Sequence, residues 1–148
     1  MRRDISNMAC HKGNGCAVDP YILLLNIEIA QGGKTGMVLK KREDGWKKML
    51  EGVERQNLVH GDKTHLLKFR LHKDAVIPIH DHPHEQTGYL LQGKMVMIIE
   101  DEECRLESGD SWSLRGGVHH GVKVLEECLV LEVFSPVREE YFDEEIRL

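Results

Sequence analysis

The sequence predicts an all-β chain, a sandwich or small barrel, on three observations. From Met37 onward, short apolar segments recur at close spacing with turn residues between them, the pattern of many short strands in one closed sheet system. In 64–72, His65, Leu67, Phe69 and Leu71 fall on one face while Lys68, Arg70 and His72 fall on the other, the period of two of a half-buried strand. Helical periodicity has little support. Asp44–Leu50, with Asp44 as a possible N-cap, and the acidic C-terminus are single-turn candidates.

Taken in order, residues 1–36 read as an N-terminal extension to a single domain over 37–148. Met1–Asp19 is polar, lacks periodicity and reads as a mobile tail. Cys10, His11 and Cys16 match none of the common zinc spacings. Tyr21–Ala30 reads as a strand, with Leu25, Ile27 and Ile29 on one face, before Gln31–Gly36 breaks it. The segment is either an appended strand or upstream sequence read from an early start codon. Expected strands follow at Met37–Leu39, Gly52–Val59, His65–Leu71, Thr87–Leu91, Lys94–Ile99, Cys104–Leu106, Ser111–Leu114, Gly121–Leu125 and Cys128–Phe134. Between them lie Gly61-Asp62, Gln92-Gly93, Asp101–Glu103, Ser108–Asp110, Gly116-Gly117 and Glu126-Glu127.

A chain of 148 residues with 41% hydrophobic and 30% charged content is ordinary for one soluble domain. A net charge of −5, without a basic cluster, speaks against a nucleic-acid partner. The longest apolar run, Tyr21–Ala30, carries Asn26 and Glu28 and falls far short of the roughly 20 residues of a membrane span. No secretory cleavage pattern follows it, so the expected location is the cytoplasm. Four scattered cysteines, Cys10, Cys16, Cys104 and Cys128, do not make a disulfide framework. Cys104 and Cys128, in apolar segments, read as buried free thiols.

The chemistry concentrates in Pro78–Gly93. On a strand His80 and His82 point to one face, and Gln86, past the bend at Pro83, can return an amide oxygen to it. A further imidazole is offered in Gly116–Val122. The expected ligand set is His80, His82, Gln86 and His120 on one divalent transition metal. His65 points inward in this reading, as a packed and hydrogen-bonded residue. His11, His60 and His72 read as surface residues, and His84 stands at the rim, either solvated or meeting a substrate. Three neutral imidazoles and an amide leave the metal's charge uncompensated, so an anionic or oxygen-rich small molecule is the expected partner.

The pattern His80-x-His82-x3-Gln86-x6-Gly93, followed by Gly109-Asp110-x4-Arg115-x-Gly117-x2-His120, resembles the two cupin motifs. The resemblance covers about 37–142 and implies the cupin fold, a double-stranded β-helix or jelly-roll barrel. Gln86 stands where most cupins have Glu, and Arg115 where they usually have Pro. His119 and His120 would face opposite ways on a strand, and the motif register selects His120. Zn, Ni, Fe, Mn and Cu all suit such a site. Single-domain cupins commonly begin near the position of Met37.

Cys128–Phe134 is apolar on both faces except at Glu132, a carboxylate that must be paired, hydrogen-bonded or protonated. Glu132 shares a face with Phe134. In the register the motifs imply, that face looks into the lumen; the bland alternative is an ion pair with Arg115 or Arg138. Phe134-Ser135-Pro136-Val137-Arg138-Glu139-Glu140-Tyr141 looks like the end of the pectin-degradation cupins, which convert 4,5-unsaturated monouronates into open-chain ketonised uronates. The resemblance implies Glu132, where that family usually has Asp, and Arg138 as catalytic residues, with Phe134 and Arg138 as substrate contacts, to which the place of His84 at the rim adds a further candidate contact. The expectation is a homodimeric metal-dependent cupin for sugar-acid ring opening or tautomerisation. An iron-dependent dioxygenase with the same ligands and a non-catalytic metabolite-binding module are the alternatives.

Overall fold

The structure, a computed structural model, describes residue 36 and residues 38–142 of the chain. Ten strands run in order: β1 (Trp46–Leu50), β2 (Val53–His60), β3 (His65–Leu71), β4 (Val76–His80), β5 (Glu85–Gln92), β6 (Lys94–Ile99), β7 (Glu102–Glu107), β8 (Ser111–Leu114), β9 (His120–Val124) and β10 (Cys128–Ser135). A 3₁₀ turn, Glu139–Tyr141, follows. They form a six-stranded sheet, β1-β2-β3-β10-β5-β8, and a four-stranded sheet, β4-β9-β6-β7. Every pairing is antiparallel.

Alternation decides what each strand contributes. In β3 every second residue is buried, and these are His65, Leu67, Phe69 and Leu71, the face expected from the sequence. Opposite them in register, β10 buries Cys128, Val130 and Phe134. From β5 come Gln86, Gly88 and Leu90, and from β6 Met95 and Met97. Leu67 and Leu90 are wholly enclosed, and side chains of this kind each contribute about 1.5–3 kcal/mol on burial. The core therefore lies between the sheets, and the site described below opens from the same interior.

Most expected segments are strands, with ends displaced by a residue or two. Asp44–Leu50 is a difference: the chain turns at Gly45, with φ of 77°, and Trp46–Leu50 pairs with β2 as an edge strand. A seven-residue helix cannot repay its nucleation cost alone, whereas this strand caps an open ladder. Its Trp46 ring also lies 4.1 Å from the Arg70 guanidinium and 5.1 Å from the Lys68 ammonium. The short segment expected at Met37–Leu39 is not a strand among its described residues. The acidic end does form a turn, at Glu139–Tyr141. His65 is buried as expected, while His60 is only half-exposed and stacks on Phe142 at 4.5 Å. The expected strand at Tyr21–Ala30, the tail before it and Cys10, His11 and Cys16 lie outside the described residues. No described helix is long and apolar enough to cross a membrane.

Candidate metal centre and adjoining pocket

β4 ends on His80, which lies opposite His120, the first residue of β9. His82 follows in the connection to β5, and Gln86 is the second residue of β5. The two connections are tied together: the Gly117 N–H donates to the His82 carbonyl at 2.8 Å. Gly116 packs so closely on Pro83 that a Cβ there would stand 2.2 Å from the Pro83 carbonyl oxygen. Glycine is required at that contact.

The ligand atoms of His80, His82 and His120 lie within 4.8 Å of one another. The ring centroids are 4.4 Å apart for His80 and His120, 5.0 Å for His82 and His120, and 5.8 Å for His80 and His82. Each Nδ1 donates to a backbone carbonyl: His80 to Pro78 at 2.8 Å, His120 to Val118 at 2.8 Å and His82 to His84 at 3.0 Å. These bonds assign the proton to Nδ1 and leave the three Nε2 lone pairs free, the second-sphere arrangement of histidines that bind metals. Burial lowers the pKa of His82 and His120, which favours the neutral, ligating form.

Gln86 strengthens the fit. Its amide nitrogen donates to Glu132 Oε1 at 2.5 Å, which turns its Oε1 toward His82 Nε2, 3.0 Å away. With the His82 proton on Nδ1, two acceptor atoms face each other, and a cation between them satisfies both. The donor set suits a divalent transition metal and does not distinguish among them. His119 is exposed beside it and takes no part in the cluster; its N–H donates to the Glu100 carboxylate at 3.0 Å.

A cavity of about 80 Å³ adjoins the cluster, lined among others by His80, Gln86, His120, Glu132, Phe134 and Arg138. Phe134 is buried and meets the His82 ring edge-on at 5.6 Å. Glu132 is enclosed by protein but open to this space. Burial pushes its carboxyl up to about 8, against the Gln86 hydrogen bond and the positive charge of Arg138, which both act to lower it. Among the described residues Glu132 has no ion-pair partner within 4 Å, because Arg138 pairs with Glu140 at 2.7 Å. The alternative of a plain Glu132 ion pair with Arg115 or Arg138 is therefore not what the geometry shows.

The sequence-predicted residues mostly converge. His84 stands apart: its ring lies behind His82 at 5.7 Å, and it supports that imidazole through its carbonyl without lining the cavity. Sequence reasoning missed Trp112 and the contribution of Tyr141, both of which line the cavity. It also missed Asn57, whose amide donates to the Tyr141 carbonyl. A near-terminal aromatic pointed to Tyr141. Nothing marked Asn57: it keeps the alternation of β2 and stands opposite the buried Leu67, but a polar side chain at such a position reads as a surface residue.

Comparison with known proteins agrees with this geometry. Residues 67–134 match the model of the Cupin domain. The pectin degradation protein KdgF of Dickeya dadantii (strain 3937) is 31% identical over 101 residues, covering 67% of this chain and 92% of that protein. The structure of KdgF from Halomonas sp. superposes with a TM-score of 0.69 at 30% identity, over 73% of this chain and 100% of that one. An RmlC-like cupin from Shewanella frigidimarina NCIMB 400 gives 0.64 at 25% identity, over 68% and 90%. Similarity that spans nearly all of the Dickeya protein, on a fold whose two motifs meet in space, decides the family: the chain belongs to the cupins and, among them, resembles the pectin degradation protein KdgF.

Proposed function

We propose that this protein is a metal-dependent isomerase that opens the ring of 4,5-unsaturated monouronates and ketonises the product. His80, His82, Gln86 and His120 would hold one divalent transition metal, which when bound supplies Lewis-acid polarisation of a substrate oxygen. The carrying observation is Glu132, which shares the cavity with His80 and His120, two of the three convergent imidazoles, and lies one hydrogen bond from Gln86. Similarity to a pectin degradation protein supports the substrate class.

The chemistry needs a proton carrier and no oxidant. Opening breaks the bond between the ring oxygen and C1 as the C1 hydroxyl loses its proton and the ring oxygen gains one, leaving an aldehyde at C1 and an enol at C5. Ketonisation then moves the enol proton away from oxygen while C4 gains one. The Glu132 carboxyl is the group placed to accept and return that proton. Arg138 can hold the uronate carboxylate with two hydrogen bonds, and Phe134 offers a flat apolar surface to the sugar. His84 supports His82 through its backbone carbonyl.

Glu132→Gln should retain fold, metal and ligand affinity yet slow turnover by about 10²–10⁴-fold, followed by loss of the C4=C5 resonances in NMR. Unchanged turnover would remove Glu132 from the mechanism. A loss of thermal stability with turnover intact would mark it as a structural carboxylate. No turnover by the metal-replete parent would favour a dioxygenase or a binding module.

A further inference from the structure

The 3₁₀ turn Glu139–Tyr141 is held down at several points. The Asn57 amide donates to the Tyr141 carbonyl, and the Tyr141 N–H returns to the Arg138 carbonyl at 2.9 Å. The Arg55 guanidinium lies 4.8 Å from the centre of the Tyr141 ring, and that of Arg138 lies 4.1 Å from it. Arg138 also lies 5.1 Å from the Phe134 ring, which meets Tyr141 edge-on at 6.4 Å. The Arg138 guanidinium thus rests in an aromatic notch, with its side chain only 13% exposed.

Its donors are unequally used. Nε–H donates to Glu140 Oε1 at 2.7 Å. Among the described residues neither Nη group has a hydrogen-bond acceptor, although Arg138 lines the cavity. A guanidinium can grip a carboxylate from its side, through Nε and one Nη, or from its end, through both Nη groups. Glu140 occupies the side, which leaves the end.

We propose that Glu140 and Tyr141 are positioning residues that present the two Nη groups of Arg138 to a substrate carboxylate, a role that rests on the uronate reading above. A free arginine loses rotamer freedom when it binds. An arginine already stacked on Tyr141 and tethered by Glu140 has lost that freedom beforehand, so more of the contact energy appears as affinity. Glu140 also carries negative charge, and at this spot it acts as a tether and not as a competitor, because it takes the donor that an end-on carboxylate does not use.

The test is calorimetric titration of the metal-replete full chain with galacturonate, a saturated monouronate, and with its uncharged methyl ester. It is run beside turnover of the unsaturated monouronate. Glu140→Ala and Tyr141→Leu are each expected to weaken galacturonate binding about tenfold, leave ester binding unchanged and raise KM more than they lower kcat. Tyr141→Phe, which keeps the ring, is expected to rescue the Tyr141→Leu defect. Should Tyr141→Leu fail to fold, Glu140→Ala and Tyr141→Phe carry the decision. Parental galacturonate affinity in Glu140→Ala overturns the proposal, as does equal weakening toward acid and ester. Tighter binding in Glu140→Ala also overturns it, by showing Glu140 to be a competitor. A parent that does not prefer the acid to the ester overturns it as well. A parent that binds the acid but does not turn over the unsaturated sugar instead overturns the reaction and leaves this assignment standing.

Discussion

Each of the three convergent imidazoles is held by a carbonyl two residues away: Pro78 for His80, His84 for His82 and Val118 for His120. The tautomer of all three rings is thus set by local backbone. That makes the histidines separable by mutation. His80→Ala or His120→Ala should empty the site, measured by elemental analysis of the purified variants, because two imidazoles and an amide bind too weakly to survive purification. His119→Ala should keep its metal, since that exposed side chain lies outside the cluster. Full occupancy in both of the first two variants would overturn the ligand assignment.

At the scale of elements, the site depends on β5 seating correctly between β10 and β8. Gln86 stands opposite Phe134 on one side and Leu114 on the other, and Gly88 stands opposite Glu132 and Trp112. The Trp112 ring fills the space above Gly88, where a Cβ would lie 2.2 Å from the indole carbons. Gly88→Ala should therefore destabilise the protein by about 1–3 kcal/mol through overpacking, read from denaturant midpoints. Adding Trp112→Leu should return part of that loss, since the two positions are in direct contact and do not act additively. An unperturbed Gly88→Ala variant would show that the indole moves aside freely. The edge strand β1 teaches the same lesson from the other direction: its residues are indifferent locally, and the open ladder of β2 recruits them.

For the whole molecule, the core cluster of the described residues is drawn from Met49 through Tyr141. We propose 37–148 as the folding unit, with residues 1–36 an extension to it, on the strand pattern that starts near Met37 in the sequence. A chain starting at Met37 should melt close to the full-length protein and retain the metal. A large drop in melting temperature, or a change of oligomeric state in light scattering, would show Tyr21–Ala30 to be a working strand.

The sequence by itself determined the strand pattern from β2 to β10 except β4, the His80, His82 and Gln86 spacing, and the inward face shared by Glu132 and Phe134. These are legible because strand periodicity is local and a misplaced apolar face is costly. Only the tertiary structure decided that Glu132 bonds to Gln86 and not to an arginine, that Arg138 pairs with Glu140, and that Asn57 holds the terminal turn. Those contacts join residues from 46 to 84 positions apart, except the Arg138–Glu140 pair. That pair is close in sequence, yet it is set by the aromatic notch that Phe134 and Tyr141 form around the guanidinium. A partner chosen by packing leaves no period in the sequence, and so it is read only once the sheets have closed.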